Sequence, residues 1–313
     1  MARRGKRGAL KRGLRWGKWL ISGGAIVAIA IFLVIFMPTT ETGPGQGEVA
    51  LPPTGMPQEA NVVPEATAAT VVESEEATAK PPTLPSWDWQ LSAPFAYDRV
   101  VDVMDVDPDS IVSSDVAALK ERGTYLICYV SVGTLESYRH DANQFPAAVI
   151  GEIYGDWPDE RFLDIREIDT LLPLMEARFR ACRDKGFDAV EPDNLDVHFN
   201  DSGFPITAAD SLAYAKALVM VAKGMGLAIG QKNVPDLVPD LVGEMDFAIA
   251  ESCFEHVWCD KLQPYLDAGK PVYGAEFTNA ELDWEAACSA ATEMGISLIL
   301  KDRDLSAAIT RCP

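Results

Sequence analysis

Gly186-Phe-Asp-Ala-Val-Glu-Pro-Asp-Asn194 is the stretch on which the fold turns. Phe187 to Val190 reads as a short buried strand that runs straight into carboxylates. Residues i and i+2 of a strand share a face, so Glu191 and Asp193 point the same way. Pro192 has no N–H to give a ladder, so the strand is expected to end there. Two acids at the end of an apolar strand are costly in a core and useful at the rim of a site. An acidic turn that caps the next segment is the alternative. The neighbouring sequence decides between them.

Strand-like apolar runs recur on both sides of this stretch. They cover Trp87–Leu91, Val100–Val106, Tyr125–Val132, Phe187–Glu191, Leu227–Gln231, Phe247–Glu251, Val272–Ala275 and Ser297–Lys301. Several are nearly continuous in apolar residues, as strands covered on both faces are. Helical stretches lie between most of them: Ser113–Arg122, Ile168–Lys185, Thr207–Gly224 and Glu281–Met294. Gly123, Gly186 and Gly295 follow three of these and supply left-handed caps. Thr207-Ala-Ala-Asp210 is a capping-box-like start with Asp in place of Glu or Gln. The alternation predicts a single (β/α)8 TIM barrel over residues 87–313. An open doubly wound sheet would carry a glycine fingerprint from strand into helix. Gly224-Met-Gly-Leu-Ala-Ile-Gly230 runs from helix into strand, the wrong order. Residues 133–166 break the rhythm and hold Tyr138, Phe145, Tyr154, Trp157 and a strand-like Phe162–Ile165. A long insertion after a barrel strand is expected to be a binding loop.

Upstream, the composition changes twice. Residues 1–18 hold all eight basic residues of the first 36 positions, which contain no acid. Residues 19–37 are uncharged and long enough for the bilayer core. The basic flank predicts a single-pass anchor in the cell membrane, with the N-terminus cytoplasmic and the remainder extracellular. A cleaved signal peptide is the competing reading, but the run is long for one and no small-x-small site follows. Residues 38–86 carry many Pro, Thr, Ala, Val and Glu and no aromatic residue, so a flexible disordered linker is expected. The whole chain is formally −20, with 27 basic and 47 acidic residues. The two upstream regions use nine of the basic residues and seven of the acids, which leaves 18 and 40 for residues 87–313, or −22. Such a domain repels nucleic acid and other anionic polymers. It suits a cationic partner, and its charge also serves solubility.

Each predicted strand delivers polar groups at one end. They include Trp87-Asp-Trp-Gln90, Asp105 and Asp107, and Ser131 with Glu136 and Arg139. Glu191, Asp193, Asn194 and Asp196 follow, then Gln231-Lys-Asn233, Glu251, Glu276, and Lys301-Asp302. Carboxylates dominate, with Trp87, Trp89 and Tyr129 nearby. Acids for proton transfer beside aromatic platforms point to a carbohydrate site. The histidines at 140, 198 and 256 have no metal-ligand spacing, and no Gly-x-Ser-x-Gly elbow or P-loop occurs. No cofactor or metal is assigned. Glycoside hydrolysis needs two carboxyl groups, one of which stays protonated because clustered acids raise one another's pKa. Six cysteines on the outer side of a membrane permit disulfides. Cys253–Cys259 would close a short loop after Glu251, and Cys288–Cys312 would tie the last helix to the C-terminus. Cys128 either pairs with Cys182 or is a buried thiol.

Taken together, Trp87-Asp-Trp-Gln-Leu91, Ile127-Cys-Tyr-Val-Ser131, Leu163-Asp-Ile-Arg166, Val190-Glu-Pro-Asp-Asn194, Gln231-Lys-Asn233 and Glu251-Ser-Cys-Phe254 resemble glycoside hydrolase family 114. The motifs occur in order over nearly all of 87–313. The resemblance implies a barrel that cleaves α-1,4-linked galactosamine polymers inside the chain. It implies Asp193 as nucleophile and Glu251 as acid/base. Asp88, Tyr129, Asp164, Glu191, Lys232 and Glu276 follow as supporting, substrate-binding residues, joined by Trp89 and Asn194 from the rim. The chain has Ala250-Glu-Ser-Cys253 where the family usually reads Asn-Glu-Gln-Cys, and Gln231 where Leu is usual. The expectation is a monomeric, membrane-anchored retaining endo-glycosidase acting on a cationic amino-sugar polysaccharide. The alternative is a non-catalytic, lectin-like module on the same barrel.

Overall fold

The computed structural model describes residues 78–155 and 157–313. The expected cytoplasmic tail at 1–18, anchor at 19–37 and most of the expected linker lie outside the described residues. Among the described residues, no helix is long and apolar enough to cross a membrane.

The elements run β1 (Trp87–Gln90), β2 (Val103–Val106), α1 (Ser113–Glu121), β3 (Tyr125–Ser131), then an insertion of β4 (Thr134–Glu136), β5 (Ile150–Tyr154) and β6 (Trp157–Leu163). After it come α2 (Ile168–Lys185), β7 (Ala189–Asp193), α3 (Ala208–Gly224), β8 (Ala228–Lys232), α4 (Val238–Leu241) and β9 (Phe247–Glu251). The chain closes with α5 (Gln263–Asp267), β10 (Val272–Phe277), α6 (Trp284–Met294), β11 (Ser297–Lys301) and β12 (Ile309–Arg311). Eight parallel strands follow the order β1-β2-β3-β7-β8-β9-β10-β11, and β12 adds antiparallel to β11. This is the α/β barrel architecture. Three expected helix terminators hold: Gly123, Gly186 and Gly295 all have φ between +81° and +103°. The capping box between Thr207 and Asp210 forms in both directions.

The alternation is less regular than the sequence predicts. No helix separates β1 from β2, and β12 stands where an eighth helix would be. Between β1 and β11 no ladder forms, and side chains bridge the seam. Trp87 donates its indole N–H to the Ser297 carbonyl at 2.8 Å, and Lys301 Nζ donates to Asp88 Oδ1 at 2.8 Å. The strand through Pro192 also runs further than expected. β7 pairs with β3 as far as Asp193, whereas its pairing with β8 stops at Val190. The proline therefore sits where one of the two neighbouring ladders has already ended.

Two apolar layers form. Val106, Leu126, Cys128, Val190 and Ile229 face the helices, against Leu119, Phe179, Leu218 and Leu241. Trp87, Trp89, Val103, Ile127, Ala189, Ala228, Phe247, Ile249, Tyr273 and Ala275 fill the barrel. A cysteine bridge, Cys128–Cys182, ties β3 to α2, which resolves the open pairing. Cys253–Cys259 and Cys288–Cys312 form as expected.

The end of the expected linker is packed. Pro81 is buried, the Tyr125 hydroxyl donates to the Ala79 carbonyl at 3.1 Å, and the Tyr273 hydroxyl donates to the Pro82 carbonyl at 2.9 Å. Tyr125 and Tyr273 lie near the N-terminal ends of β3 and β10, so the chain crosses the bottom of the barrel before β1 begins. The two tyrosines hold what the composition alone reads as unstructured.

Candidate active site

Strand parity builds the site. Ala189 and Phe247 point into the barrel, so Glu191 and Asp193 on β7 and Glu251 on β9 point inward too, at successively higher levels. Ala228 does the same for Lys232 on β8, and Val103 for Asp105 on β2. Below, the inward residues are apolar and make a packed core. Above, they are charged. Gly230 is the exception in its row, because a Cβ there would meet the Phe247 ring at 2.3 Å.

Lys232 is the hub. Its side chain is 2% exposed, and its Nζ lies 2.7 Å from Asp193 Oδ1, 2.9 Å from Glu191 Oε1 and 3.1 Å from Glu251 Oε2. The ammonium also sits 4.6 Å from the ring of Trp89, which forms the floor. Burial disfavours the lysine charge, but Asp193, Glu191 and Glu251 more than reverse that and raise its pKa. Asp193 is the more buried of the two outer acids, at 18% against 28% for Glu251. Its second oxygen accepts from the Tyr129 hydroxyl at 3.2 Å. Glu251 is held by Asn233 twice: its backbone N–H donates to Asn233 Oδ1 at 2.9 Å, and Asn233 Nδ2 donates to Glu251 Oε2 at 3.2 Å.

The backbone repeats one device at three strand ends. Asn194, Asn233 and Ser252, each directly after Asp193, Lys232 and Glu251, have φ of 63°, 50° and 53°. A left-handed residue turns the chain away while the preceding side chain stays aimed inward. Behind Asp193 the turn is fastened. Val132 N–H donates to the Asp193 carbonyl at 3.0 Å, and Asn194 Nδ2 donates to Ser131 Oγ at 3.0 Å. Gly133 makes this fit possible, since a Cβ on it would stand 1.8 Å from the Asn194 carbonyl oxygen. Gly133→Ala is therefore expected to shift the Asn194 turn and lower kcat on the order of 10²-fold, while leaving the barrel folded. An unchanged kcat in a variant that melts like wild type would remove this fastening from the account.

The insertion closes one side. β4, β5 and β6 form an antiparallel sheet in the order β4-β6-β5. Arg139 pins its base to the rim, with 2.6 Å to Glu136 Oε2 and 2.7 Å to Asp107 Oδ1, and its guanidinium lies 5.9 Å from the Tyr129 ring. From β5, Tyr154 comes within electrostatic reach of Asp196, Asp193 and Glu251; burial and these acids raise its pKa. From β6, Glu160 accepts from Thr134 Oγ1 at 2.9 Å.

The structure brings Asp193, Glu251, Glu191, Lys232, Tyr129 and Trp89 together and sets Asn194 just behind them. It places three other expected substrate ligands elsewhere. Asp88 is fully buried at the barrel seam, where Lys301, Arg99, Gln90 Nε2 and the Trp89 N–H occupy its oxygens. Asp164 is bound by Arg166 through both oxygens at 2.7 Å. Glu276 is buried beside the Cys253–Cys259 loop and accepts from the Phe254 N–H at 2.8 Å. Asp105, Asp196 and Asn233 were visible as polar strand ends without a role, and Tyr154 only as an aromatic of the insertion. Glu160 carried no signal, because its neighbours come from β4.

Five acids have raised pKa values with burial as the first cause: Glu160 and Glu276 to about 7, Glu191 and Asp196 to about 6, and Asp105 well above its ordinary value. The ordinary carboxylate value is about 4. Between about pH 4.5 and 7 the folded chain thus binds more protons than the unfolded chain, and stability falls as pH rises. Asp102, Asp141, Asp210 and Asp302 are shifted down, so their contribution is present above the ordinary value and is lost below it. Thermal melting is expected to be highest near pH 4–5 and to decline toward pH 8, with a shallower decline in Glu276→Gln. A melting temperature that climbs from pH 5 to 8 would contradict the cited shifts.

Comparison with known proteins agrees with this geometry. No curated protein matches the chain. Among solved structures, the chain is similar to Aspergillus fumigatus Ega3, a crystal structure in complex with galactosamine. The identity is 30% and the TM-score 0.70, over 75% of this chain and 98% of that one. It also shares its fold with the glycoside hydrolase domain of PelA from Pseudomonas aeruginosa, at 17% identity and TM-score 0.54, over 72% of this chain and 98% of that one. The profile of glycoside-hydrolase family GH114 matches residues 68–313. With a family match across most of its length and a relative at this level of identity and coverage, the chain belongs to glycoside-hydrolase family GH114 and is a glycoside hydrolase.

Proposed function

We propose that this protein is a retaining endo-glycosidase of α-1,4-linked galactosamine polymers, with Asp193 as nucleophile and Glu251 as acid/base. One observation carries the reading: both carboxylates reach the same ammonium, at 2.7 and 3.1 Å. The two oxygens can be no further apart than the sum of those distances. That limit lies close to the roughly 5–5.5 Å of a double-displacement pair and below the roughly 6.5–9.5 Å of an inverting pair.

In this reading Asp193 attacks the anomeric carbon while Lys232 and Tyr129 hold its carboxylate in place. Glu251 gives its proton to the departing glycosidic oxygen. The sugar remains bonded to Asp193, and water then displaces it. Glu251 takes the water's proton and is restored, and Asp193 leaves as a carboxylate. Charge supports the substrate class. Lys232 is the ammonium inside the site and is already shared among three acids, while Glu160 and Asp196 add further carboxyls to the rim. A free amine on the sugar supplies the positive charge that this rim lacks. Ega3, the relative at 30% identity, holds galactosamine. The protein is further proposed to act outside the cell as a monomer tethered through residues 19–37.

The full chain, incubated with deacetylated and with N-acetylated galactosamine polymers, is expected to release mid-length oligosaccharides early, and faster from the deacetylated polymer. Product masses over time check this. Binding without release would favour a lectin. Release of single sugars from the start would favour an exo-acting enzyme.

A further inference from the structure

Asp105 has no part in the mechanism above, yet it sits beneath it. Its side chain is on β2 and 0% exposed; Glu191, on β7, is 1% exposed. Their carboxyl groups face one another within hydrogen-bonding reach. No described N–H or O–H satisfies any of the four oxygens with hydrogen-bond geometry, although Lys232 Nζ stands 2.9 Å from Glu191 Oε1. Trp89, the register partner of Asp105 on β1, keeps its buried indole N–H unpaired as well.

Two carboxylates cannot both stay charged in a site closed to water. They repel, and each lacks the donors that an anion needs. One proton between them removes both problems, because the acid then donates to the carboxylate. The groups around the pair decide which carboxyl keeps it. Lys232 makes ion pairs with Glu191, Asp193 and Glu251, and none with Asp105. The negative charge is therefore held better on Glu191, which Lys232 both pairs with and attracts, than on Asp105, which Lys232 attracts only across space; Asp193 repels both. We propose that Asp105 is a neutral carboxylic acid in the working enzyme and a positioning residue, donating its proton to Glu191 and thereby fixing the Lys232 ammonium against Asp193 and Glu251. With Asp105 neutral, one ammonium serves three acids; with Asp105 ionised it would face four. The burial of both groups also pushes their pKa values upward.

The positioning role rests on Asp193 and Glu251 being the reacting pair; the protonation state does not. The first measurement therefore needs no substrate: the infrared difference between the full wild-type chain and Asp105→Asn at neutral pH. The expected result is loss of a protonated-carboxyl C=O stretch. Loss confined to carboxylate bands would overturn the proposal. The second measurement is kinetic. Asn can still donate to Glu191, whereas Leu cannot. Asp105→Asn is expected to keep kcat close to wild type, with the same pH profile. Asp105→Leu is expected to lose kcat on the order of 10²-fold with KM little changed. If Asn is as damaging as Leu, or Leu as harmless as Asn, donation to Glu191 is not what Asp105 does.

Discussion

Asp193→Ala, supplied with azide, is expected to turn over an aryl glycoside and yield a glycosyl azide of opposite anomeric configuration to the substrate. Removing the carboxylate leaves room beside Lys232 and Tyr129, where a small anion can attack the anomeric carbon once. Without azide, activity is expected to fall to background. Glu251→Ala behaves differently. A good aryl leaving group departs without protonation, so the glycosyl-enzyme still forms on Asp193. Azide then displaces the sugar a second time and gives a product of unchanged configuration. On the polymer, whose leaving group needs the proton, the same variant is expected to lose about 10²–10⁴-fold in kcat. The two stereochemical results assign the two roles separately. Exchanged configurations would exchange the roles, and full activity in either variant would remove that residue from the pair.

Lys232→Met carries the second large effect. The methionine is similar in length and removes only the charge and its donors. Glu191, Asp193 and Glu251 would then face one another with no cation, Glu191 fully buried and the other two partly so. Breaking buried ion pairs from one side costs roughly 3–5 kcal/mol. The loss should depend on pH with a definite sign. In the variant the acids regain neutrality by binding protons, so the deficit relative to wild type is expected to be large at pH 7–8 and to shrink toward pH 4.5. Melting curves of both proteins across that range measure it. A deficit independent of pH would mean that Lys232 contributes packing rather than charge. Activity should be lost at every pH, since neither reacting carboxylate keeps its anchor.

The parity of β7 was readable from sequence, which put Glu191 and Asp193 on one face; Lys232 as a supporting residue came only from the family resemblance. Once Ala189, Ala228 and Phe247 are taken as inward, Asp193, Lys232 and Glu251 follow by counting in twos. Short-range features were equally plain: the Thr207–Asp210 box, the glycine caps and the short Cys253–Cys259 loop all depend on neighbours in the chain. What stayed hidden depends on distant partners. Asp88 has the composition of a rim acid, but its role is set by Lys301, 213 residues away, at a seam that no pattern announces. Tyr154 and Glu160 enter the site only because a three-stranded insertion folds back over it. Asp105 was visible as a polar strand end, but its pairing with Glu191 depends on two strands that are not neighbours in the sheet. The register of Pro192 was misread for the same reason: the strand end differs between its two sides.

The tyrosine-held segment beneath the barrel has a consequence for access. Asp193, Lys232 and Glu251 lie at or near the C-terminal ends of their strands, and Ala79 and Pro82 bind at the opposite ends. The described chain thus enters the barrel from the side away from the reacting groups. Residues 79–82 therefore stay clear of the rim, which the β4–β6 insertion flanks on one side. Under the proposed endo-acting function, a long polysaccharide lying across the opening and cut mid-chain would not meet residues 79–82.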